Sequence, residues 1–383
     1  MRLSEFEYQL PVEAIAQEPV EPRDAARLLI DRGPDRPPEH SRVAGLPAEV
    51  GPGDVVVVNT TRVRPARLAV RRATGGAGEV LLLSPLDGST IRWEALVRPS
   101  AKLKPGDVLR PQVRTDAAGP DTGGPDAAGP DDFHVRLEAY DGEGRWVVEL
   151  GIDGAADGRT LDGRNLDDAA DAALEEYGVM PLPPYLDDRP RDPERYQTVF
   201  ADRPGSAAAP TAGLHLTREV LDAVVEAGAQ VVSVDLEVGL GTFRPMTADR
   251  VEDHAMHGER YRIAPDAWAA IRAAHDPATP GSVLAVGTTT LRALESAARS
   301  GDLAATTKLF LHRGAEFLVV DRLMTNFHLP RSSLLVLIDA FIGPRWRQLY
   351  DRALAEGYRF LSFGDATLLD RRSQPLDPLE DPR

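Results

Sequence analysis

Residues 134–150, HVRLEAYDGEGRWVVEL, contain two runs in which apolar and polar side chains alternate, separated by the turn residues at 141–144. Alternation with a period of two places the apolar side chains on one face of a β-strand, and the turn residues predict a hairpin. Similar apolar runs occur earlier, GEVLLL at 78–83 and IRWEALV at 91–97. Several short strands separated by turns predict an antiparallel barrel or sandwich.

The chain on either side of this β-rich segment has a different pattern. The apolar runs VVSVDLEV (231–238) and VLAVGT (283–288) alternate with helical patterns, which is typical of an α/β domain. A further buried-strand candidate, DVVVVNT at 54–60, precedes the β-rich segment. The β-rich segment is therefore predicted to be inserted into an α/β domain.

These patterns predict an α/β main domain, residues 1–64 and 178–383, with an inserted antiparallel β-barrel domain at 65–150. Residues 151–177 are rich in Ala, Gly and Asp, and we predict an acidic linker there. Residues 115–132 include three five-residue units, DAAGP, DTGGP and DAAGP. Because these units have no large apolar side chain to offset the entropy lost on ordering, we expect a disordered loop.

The composition of the 383-residue chain excludes several classes of protein. It has no cysteine, which rules out disulfides, thiolate catalysis and cysteine-ligated metals. Its net charge of −16 argues against a generally basic surface, so any contact with nucleic acid should be local. No apolar run approaches the ~20 residues that cross a bilayer, and the N-terminus lacks a signal-peptide pattern, so we expect a cytoplasmic protein.

Residues 195–259 have the highest density of side chains that do chemistry. Gly239 and Gly241 follow an apolar strand, where a ligand can approach the backbone closely. The third glycine of the dinucleotide fingerprint is missing, and GTTTLR at 287–292 lacks the phosphate-loop lysine, so neither motif predicts a nucleotide triphosphate site. A structural turn is the alternative explanation for each motif.

The histidines of the chain leave alternatives open. His254, His257 and Glu259 would suit either a metal site or imidazoles that bind substrate and move protons. The metalloprotease pattern HExxH is absent, which favours the second interpretation. His215 and His328 are isolated among apolar residues, a pattern that is also typical of a packed structural histidine.

A local excess of arginine departs from the acidic character of the chain. Five arginines occur in TRVRPARLAVRR at 61–72. A strand would place Arg62 and Arg64 on one face, where they could bind phosphates or a carboxylate. The alternative is a solvated strand face balanced by neighbouring acidic residues.

Eleven segments occur in one order across nearly the whole chain: LPVEAIAQEPVEPRDAARLL (10–29), NTTRVRPARL (59–68), EVLLLSPL (79–86), WEALVRPSAKLKPGD (93–107), PLPPYL (181–186), RYQTVFADRPGSAAAPTAGLHLT (195–217), VGLGTFRPM (238–246), HAMHGERY (254–261), AVGTTTLRALES (285–296), LMTNFHLPRSSLLVLIDAF (323–341) and YRFLSFGDATLL (358–369). In combination they resemble the S-adenosylmethionine:tRNA ribosyltransferase-isomerase family of queuosine biosynthesis. Each segment is weak alone, whereas the set is specific.

The resemblance implies an activity. The ribosyl moiety of S-adenosylmethionine is transferred to 7-aminomethyl-7-deazaguanine in tRNA and isomerised to an epoxycyclopentanediol, which gives epoxyqueuosine and releases adenine and methionine. The partners are then S-adenosylmethionine and tRNA bearing that base. No metal and no cofactor are expected, because S-adenosylmethionine is consumed as a substrate. The family fold, an α/β domain with an inserted β-barrel, agrees with the patterns above, and we expect a monomer.

Site residues follow as hypotheses from this chemistry, which needs groups that accept and donate protons. Proton transfer is assigned to His215, His254 and His257, with Glu259 orienting an imidazole. Substrate binding is assigned to Thr211, Gly239, Gly241, Thr242, Phe243, Arg244, Thr288, Thr289, Arg292, Asn326 and His328. Contact with tRNA phosphates is assigned to Arg62, Arg64 and Arg67.

Three residues depart from the family pattern: Thr60, Glu237 and Lys308. Glu237 occupies the place of an expected histidine, which changes both charge and donor capacity. If Glu237 faced the site, the chain could be a paralogue that cleaves S-adenosylmethionine for an acceptor other than tRNA. A second alternative is a non-catalytic protein that binds RNA or a nucleoside on the same scaffold.

Overall fold

The computed structural model describes residues 1–86, 91–112, 133–142, 144–154, 165–186, 192–239, 246–256, 258–278 and 280–371. The strands in this part of the chain are β1 (Arg27–Asp31), β2 (Glu39–Arg42), β3 (Val55–Asn59), β4 (Thr61–Val63), β5 (Arg67–Arg72), β6 (Ala77–Pro85), β7 (Arg92–Arg98), β8 (Val108–Pro111), β9 (Phe133–Gly142), β10 (Arg145–Ile152), β11 (Gly178–Val179), β12 (Arg203–Ser206), β13 (Gln230–Leu236), β14 (Glu259–Ile263), β15 (Val283–Val286), β16 (Ala304–Thr307), β17 (Arg322–Asn326) and β18 (Ala366–Asp370). The α-helices are α1 (Leu166–Tyr177), α2 (Arg218–Glu226), α3 (Pro265–Ala273), α4 (Thr288–Ser300), α5 (Ser333–Ile342) and α6 (Trp346–Ala355).

The predicted disordered loop at 115–132 lies outside the described residues. Over the residues that are described, no helix combines the length and the apolar composition needed to cross a bilayer.

The chain divides into two compact units, of which the first contains a mixed β-sheet. This unit comprises Met1–Arg62, Pro184–Arg203 and Ala209–Arg383. Its described strands follow the order β16-β14-β13-β3-β15-β17-β18-β1-β2. The central strands β13, β3, β15 and β17 are parallel, and β3 and β15 are buried along their whole length. Strands buried on both faces form continuous apolar runs, so this sheet confirms the predicted α/β main domain.

The second unit, Val63–Pro183 with Pro204–Ala208, contains a closed antiparallel barrel. Its strands follow the order β5-β6-β7-β10-β9-β8, and β8 pairs back onto β5. Alternate residues of β10, Trp146, Val148 and Leu150, point into the barrel core and are buried. This period of two is the pattern visible in the sequence, and the predicted β-barrel is confirmed.

The predicted acidic linker at 151–177 needs correction. Its last twelve residues form α1, and Ala170, Leu174 and Tyr177 of that helix are buried in the barrel core. The linker prediction depended on the acidic composition of the segment. The spacing of three and four residues between these apolar side chains is typical of a helix with one buried face. The α1 helix is therefore part of the barrel unit.

Replacing Leu174 with alanine tests whether α1 is integral to the barrel unit. Leu174 is 2% exposed, so we expect a loss of about 2–5 kcal/mol in the free energy of unfolding of that unit. The matched control is Glu175→Ala on the exposed face of the same helix, which should change the stability by no more than about 0.5 kcal/mol. Equal, small effects of the two substitutions in urea unfolding would mean that α1 acts only as a linker.

Candidate functional site

The carboxyl ends of the central parallel strands bring most of the predicted site residues to one edge of the sheet. Strand β3 ends at Asn59 and β17 ends at Asn326. Strand β15 is followed by Gly287, which precedes α4, and β13 is followed by Gly239. Ligands of open α/β sheets bind outside the carboxyl ends of parallel strands, so this edge is the candidate functional site.

Thr211, Asn326 and His215 form a chain of hydrogen bonds at this edge, named here the Asn326 relay. The Thr211 hydroxyl donates to Asn326 Oδ1 at 3.0 Å, and Asn326 Nδ2 donates to His215 Nε2 at 2.8 Å. Asn326 and His215 are 3% and 4% exposed. The fold thus joins three residues predicted separately, two of them from a 3-10 turn, Thr211–His215, that is more than a hundred residues from β17.

The surroundings of His215 determine its protonation state. Its Nε2 accepts a hydrogen bond from the Asn326 amide, so the neutral ring carries its proton on Nδ1. Burial, followed by the charges of Arg359, Arg195 and Arg23, lowers the pKa of His215 to about 4. The ring is therefore neutral at pH 7. An imidazole with so low a pKa is a weak base, so the relay does not favour the predicted proton-transfer role of His215, which stays a prediction.

Glu259 and Arg292 form a buried ion pair at the same edge, named here the Glu259–Arg292 pair. Arg292 Nη1 donates to one carboxylate oxygen of Glu259, and the backbone N–H of Gly239 donates to the other at 3.0 Å. The side chains of Arg292 and Glu259 are 5% and 1% exposed. The pair fixes the backbone just after β13 against α4. It also engages the N–H of Gly239, so this group is not available to a ligand.

The first turns of α4 carry two donors without a partner among the described residues. Arg292 Nε donates to the carbonyl of Leu309 at 3.1 Å, whereas Arg292 Nη2 and the Thr289 hydroxyl are buried and have no hydrogen-bond partner within the described segments. Thr288 is buried in the same turn. Because a buried donor left unpaired costs about 1–3 kcal/mol, such atoms are suited to the oxygen atoms of a ligand.

Comparisons with known proteins identify the family of this chain. The family model described as "Queuosine biosynthesis protein" matches residues 3–369. The chain belongs to the queuosine biosynthesis protein family.

Relatives match this chain over nearly their whole length. The S-adenosylmethionine:tRNA ribosyltransferase-isomerase of Rubrobacter xylanophilus is 45% identical over 372 residues, covering 96% of this chain and 98% of that protein. The protein of the same name from Moorella thermoacetica is 42% identical, covering 96% of this chain and all of the other. The crystal structure of S-adenosylmethionine tRNA ribosyltransferase from Thermotoga maritima is 30% identical, covers 95% of this chain and 99% of that one, and has a TM-score of 0.50.

The contacts of His328 are those of a residue packed in the protein core. Its Nε2 lies 3.1 Å from the Thr325 hydroxyl, its backbone N–H donates to the Tyr350 hydroxyl, and its carbonyl accepts from Tyr8. Burial lowers the pKa of His328 to about 3. These contacts favour the structural alternative, and the predicted role of His328 in recognising a base or ribose stays a prediction.

The two buried histidines predict how stability depends on pH. The histidine pKa is about 6.5 in an unfolded chain, against about 4 for His215 and about 3 for His328 in the folded protein. Between these pKa values the unfolded chain binds more protons than the folded protein. The free energy of unfolding is therefore highest above about pH 6.5 and decreases as the pH falls, by up to about 1.4 kcal/mol per pH unit for each histidine.

This dependence can be measured by urea unfolding from about pH 7.5 down to about pH 5. The variant His328→Gln should lose less stability per pH unit than the wild type, because one of the two titrating groups is gone. A slope identical to that of the wild type would show that His328 does not titrate in this way.

The remaining residues predicted for proton transfer and binding are only partly described. His254 is half-buried, and its ring meets that of Phe310 edge to face, with the ring centroids 5.5 Å apart. The others lie outside the described residues: Gly241, Thr242, Phe243, Arg244 and His257. Glu259 contacts Arg292 and the backbone N–H of Gly239, and its predicted role in orienting an imidazole stays a prediction.

The three arginines predicted to contact tRNA are each paired with an acidic residue. In the first unit, Arg62 forms an ion pair with Glu194. In the barrel unit, Arg64 lies 3.5 Å from Asp171, and Arg67 lies 2.7 Å from Glu79. The alternative weighed from the sequence, arginines balanced by neighbouring acids, is what these contacts show. A phosphate would have to compete with these carboxylates, and the assignment to tRNA stays a prediction.

Glu237 does not share the surroundings of Glu259. Arg260 donates to the Glu237 carboxylate at 2.8 Å. Along β14, Glu259 is buried and Arg260 is exposed, so the two side chains lie on opposite faces of the strand. Glu237, which stands where the resemblance predicts a histidine, therefore lies on the Arg260 face of β14, opposite to Glu259.

The two other departures from the family pattern, Thr60 and Lys308, also have described surroundings. Thr60 donates from its hydroxyl to the carbonyl of Val234, and Lys308 is exposed. Neither side chain is described in contact with the Asn326 relay or with the Glu259–Arg292 pair.

Sequence reasoning missed Asn59. Its Nδ2 donates to the carbonyl of Leu236, and its Oδ1 accepts from the backbone N–H groups of Leu236 and Thr61, at 3.0 to 3.2 Å. The side chain thereby joins the ends of β3 and β13 at the site edge. A polar residue that closes an all-valine strand is the signal that would have found it.

Proposed function

We propose that this chain transfers the ribosyl moiety of S-adenosylmethionine to 7-aminomethyl-7-deazaguanine in tRNA and isomerises it to the epoxycyclopentanediol of epoxyqueuosine. Adenine and methionine are released. The observation that carries this proposal is the match to relatives named S-adenosylmethionine:tRNA ribosyltransferase-isomerase over at least 96% of this chain. The buried polar clusters at the carboxyl edge of the sheet support it.

The Glu259–Arg292 pair supports a site for S-adenosylmethionine. Arg292 Nη2 and the Thr289 hydroxyl are buried donors that a ligand oxygen would satisfy. Glu259 holds the guanidinium in place, so Arg292 binds without a large loss of side-chain entropy. We assign to this pair a polar group of S-adenosylmethionine, which is consumed as a substrate and not recycled as a cofactor.

The proposed reaction requires three proton movements. The sulfonium acidifies the adjoining 5′ carbon, whose proton goes to a base; the departing adenine takes up a proton; and the aminomethyl group must be neutral when it attacks. Because the pKa of His215 is lowered to about 4, we keep His254 and His257 as the candidates for these transfers.

The acceptor sets the remaining partners. A tRNA carrying the aminomethyl base is the second substrate, and the enzyme acts in the cytoplasm, where tRNA is modified. The Asn326 relay and the Glu259–Arg292 pair are each completed within one chain, so the proposal is for a monomer. No contact of the described residues favours a changed acceptor, since Glu237 lies on the face opposite to Glu259.

Release of adenine tests the proposal. The protein is incubated with S-adenosylmethionine and with tRNA that carries or lacks the aminomethyl base, and adenine and methionine are quantified. We expect both products only with the modified tRNA. Release that does not depend on tRNA would favour the paralogue with another acceptor, and no release would favour the non-catalytic binding protein.

A further inference from the structure

A small cavity beside His215 is lined by donors and apolar groups. It has a volume of about 10 Å³, and its polar lining residues are Arg23, Arg195, His215 and Ser362. The other described lining residues are apolar, and none of the described lining residues is acidic. A cavity of this size admits one water-sized group, which is also the size of a single carboxylate or phosphate oxygen.

His215, one of the residues that line this cavity, is a hydrogen-bond donor. Asn326 Nδ2 donates to Nε2 of His215, so the ring proton of His215 is on Nδ1, and no hydrogen bond of Nδ1 is described. Reversal of the amide is disfavoured, because Asn326 Nδ2 also donates to the carbonyl of Asp365, at 3.4 Å, and an amide oxygen in its place would face another acceptor. The Asn326 relay thus holds the imidazole as a neutral donor of fixed direction.

The arginines around His215 add positive charge that is only partly neutralised. Arg23 donates to the carbonyls of Gln197 and Glu194, and Arg359 donates to the carbonyl of Glu18. Main-chain carbonyls satisfy hydrogen bonds without cancelling the charge of a guanidinium.

Arg195 is the cavity arginine with a carboxylate partner. Its Nε pairs with Glu21, which is 70% exposed, and its Nη2 donates to the carbonyl of Val20. Arg195 Nη1 remains, in the part of the chain described, as a further donor beside the cavity. Carboxylates near Arg23, those of Glu21, Asp192 and Glu194, do not line the cavity. The net field at the cavity favours an anionic oxygen.

We propose that this cavity is a subsite for one anionic oxygen of a substrate, bound by the Nδ1–H of His215 beside Arg195 and Arg23. His215 is then a positioning residue and not a proton carrier. The inference rests on the proposed function, because that function names the two molecules that could supply such an oxygen. These are S-adenosylmethionine, through its carboxylate, and tRNA, through a phosphate. Both present the same chemistry to the cavity.

The test is a matched pair of substitutions in the full chain. An asparagine amide at position 215 reaches about as far as Nδ1, whereas a glutamine amide reaches about as far as Nε2. His215→Asn should therefore keep binding within about threefold, and His215→Gln should weaken it by about tenfold or more, the loss typical of a hydrogen bond to a charged group. Equilibrium binding is measured for S-adenosylmethionine, for its decarboxylated analogue and for tRNA.

The three ligands show whether the oxygen comes from the carboxylate of S-adenosylmethionine or from a phosphate of the tRNA. If the cavity takes the carboxylate, His215→Gln removes the preference for S-adenosylmethionine over the decarboxylated analogue and leaves tRNA binding unchanged. If the cavity takes a phosphate, tRNA binding weakens and the preference remains. Unchanged binding of all three ligands in folded His215→Gln overturns the proposal, as does equal weakening by both substitutions.

A measurement on the unaltered protein covers the case in which His215→Gln does not fold. Nitrogen-15 NMR of the eight histidines at pH 7 should show that the His215 ring is protonated on Nδ1 and that its Nδ1 signal shifts when the substrate is added. A ring protonated on Nε2, or a charged one, at His215 overturns the proposal. These binding and NMR results do not need turnover, so wild-type binding without adenine release would contradict only the proposed function.

Discussion

Replacing Arg292 with methionine will lower the free energy of unfolding by about 3–5 kcal/mol, because the substitution leaves the Glu259 carboxylate buried without its cation. Removal of one partner from a buried pair costs far more than the net stabilisation by the pair, since the remaining charge cannot return to water. The variant should also lose affinity for S-adenosylmethionine, because it lacks the Nη2 donor. Urea unfolding and equilibrium binding measure the two effects.

Arg260, which follows Glu259 on β14, provides the matched control. Arg260 pairs with Glu237, and their side chains are 44% and 28% exposed, so Arg260→Met should cost no more than about 1 kcal/mol. The double variant Glu259→Gln, Arg292→Met should be more stable than Arg292→Met alone, because the stranded charge is gone. Equal costs at Arg292 and Arg260 would contradict a buried ion pair at the site edge.

Replacing Asn326 with aspartate will lower the rate of adenine release by about 10²- to 10³-fold, the loss typical of removing one preorganised hydrogen-bond donor to a charged oxygen. A carboxylate beside His215 Nε2 attracts the ring proton to that nitrogen, so the neutral ring has no proton left on Nδ1. The fixed neutral donor is then lost. The substitution changes few atoms, so the effect arises from polarity and not from volume.

Thr211→Val serves as the comparison for Asn326→Asp. It removes the outer hydrogen bond of the Asn326 relay and leaves the contact between Asn326 and His215 in place. Its effect on adenine release should stay below about tenfold, in line with the loss of one neutral hydrogen bond. A loss as large as that of Asn326→Asp would mean that packing, and not the direction of the amide, sets the rate.

The two units differ in how much of each was predictable. The barrel strands were predictable, because Trp146, Val148 and Leu150 alternate with polar residues in the sequence, and burial follows that alternation. Helix α1 was missed because acidic residues dominate its composition, although Leu174 and Tyr177 repeat at helical spacing. A local period determines which face is buried, whereas average composition does not.

The site was predictable as a set of residues but not as a geometry. His215 and Asn326 are 111 residues apart, and only the parallel order of β15 and β17 brings Asn326 to the edge where the 3-10 turn lies. Arg23, Arg195 and Arg359 come from three segments far apart in the sequence, and nothing in the sequence indicates that they surround one imidazole. Glu237 and Glu259 look alike in the sequence, and only the alternation along β14 separates their faces.

The mass of the modified nucleoside tests the central claim most directly. tRNA carrying 7-aminomethyl-7-deazaguanine is incubated with the protein and S-adenosylmethionine, digested, and analysed by mass spectrometry alongside the free adenine. The account predicts that the nucleoside gains the mass of the epoxycyclopentanediol group and that one adenine appears for each nucleoside converted. An unchanged nucleoside in the presence of the folded protein, with or without free adenine, would contradict it.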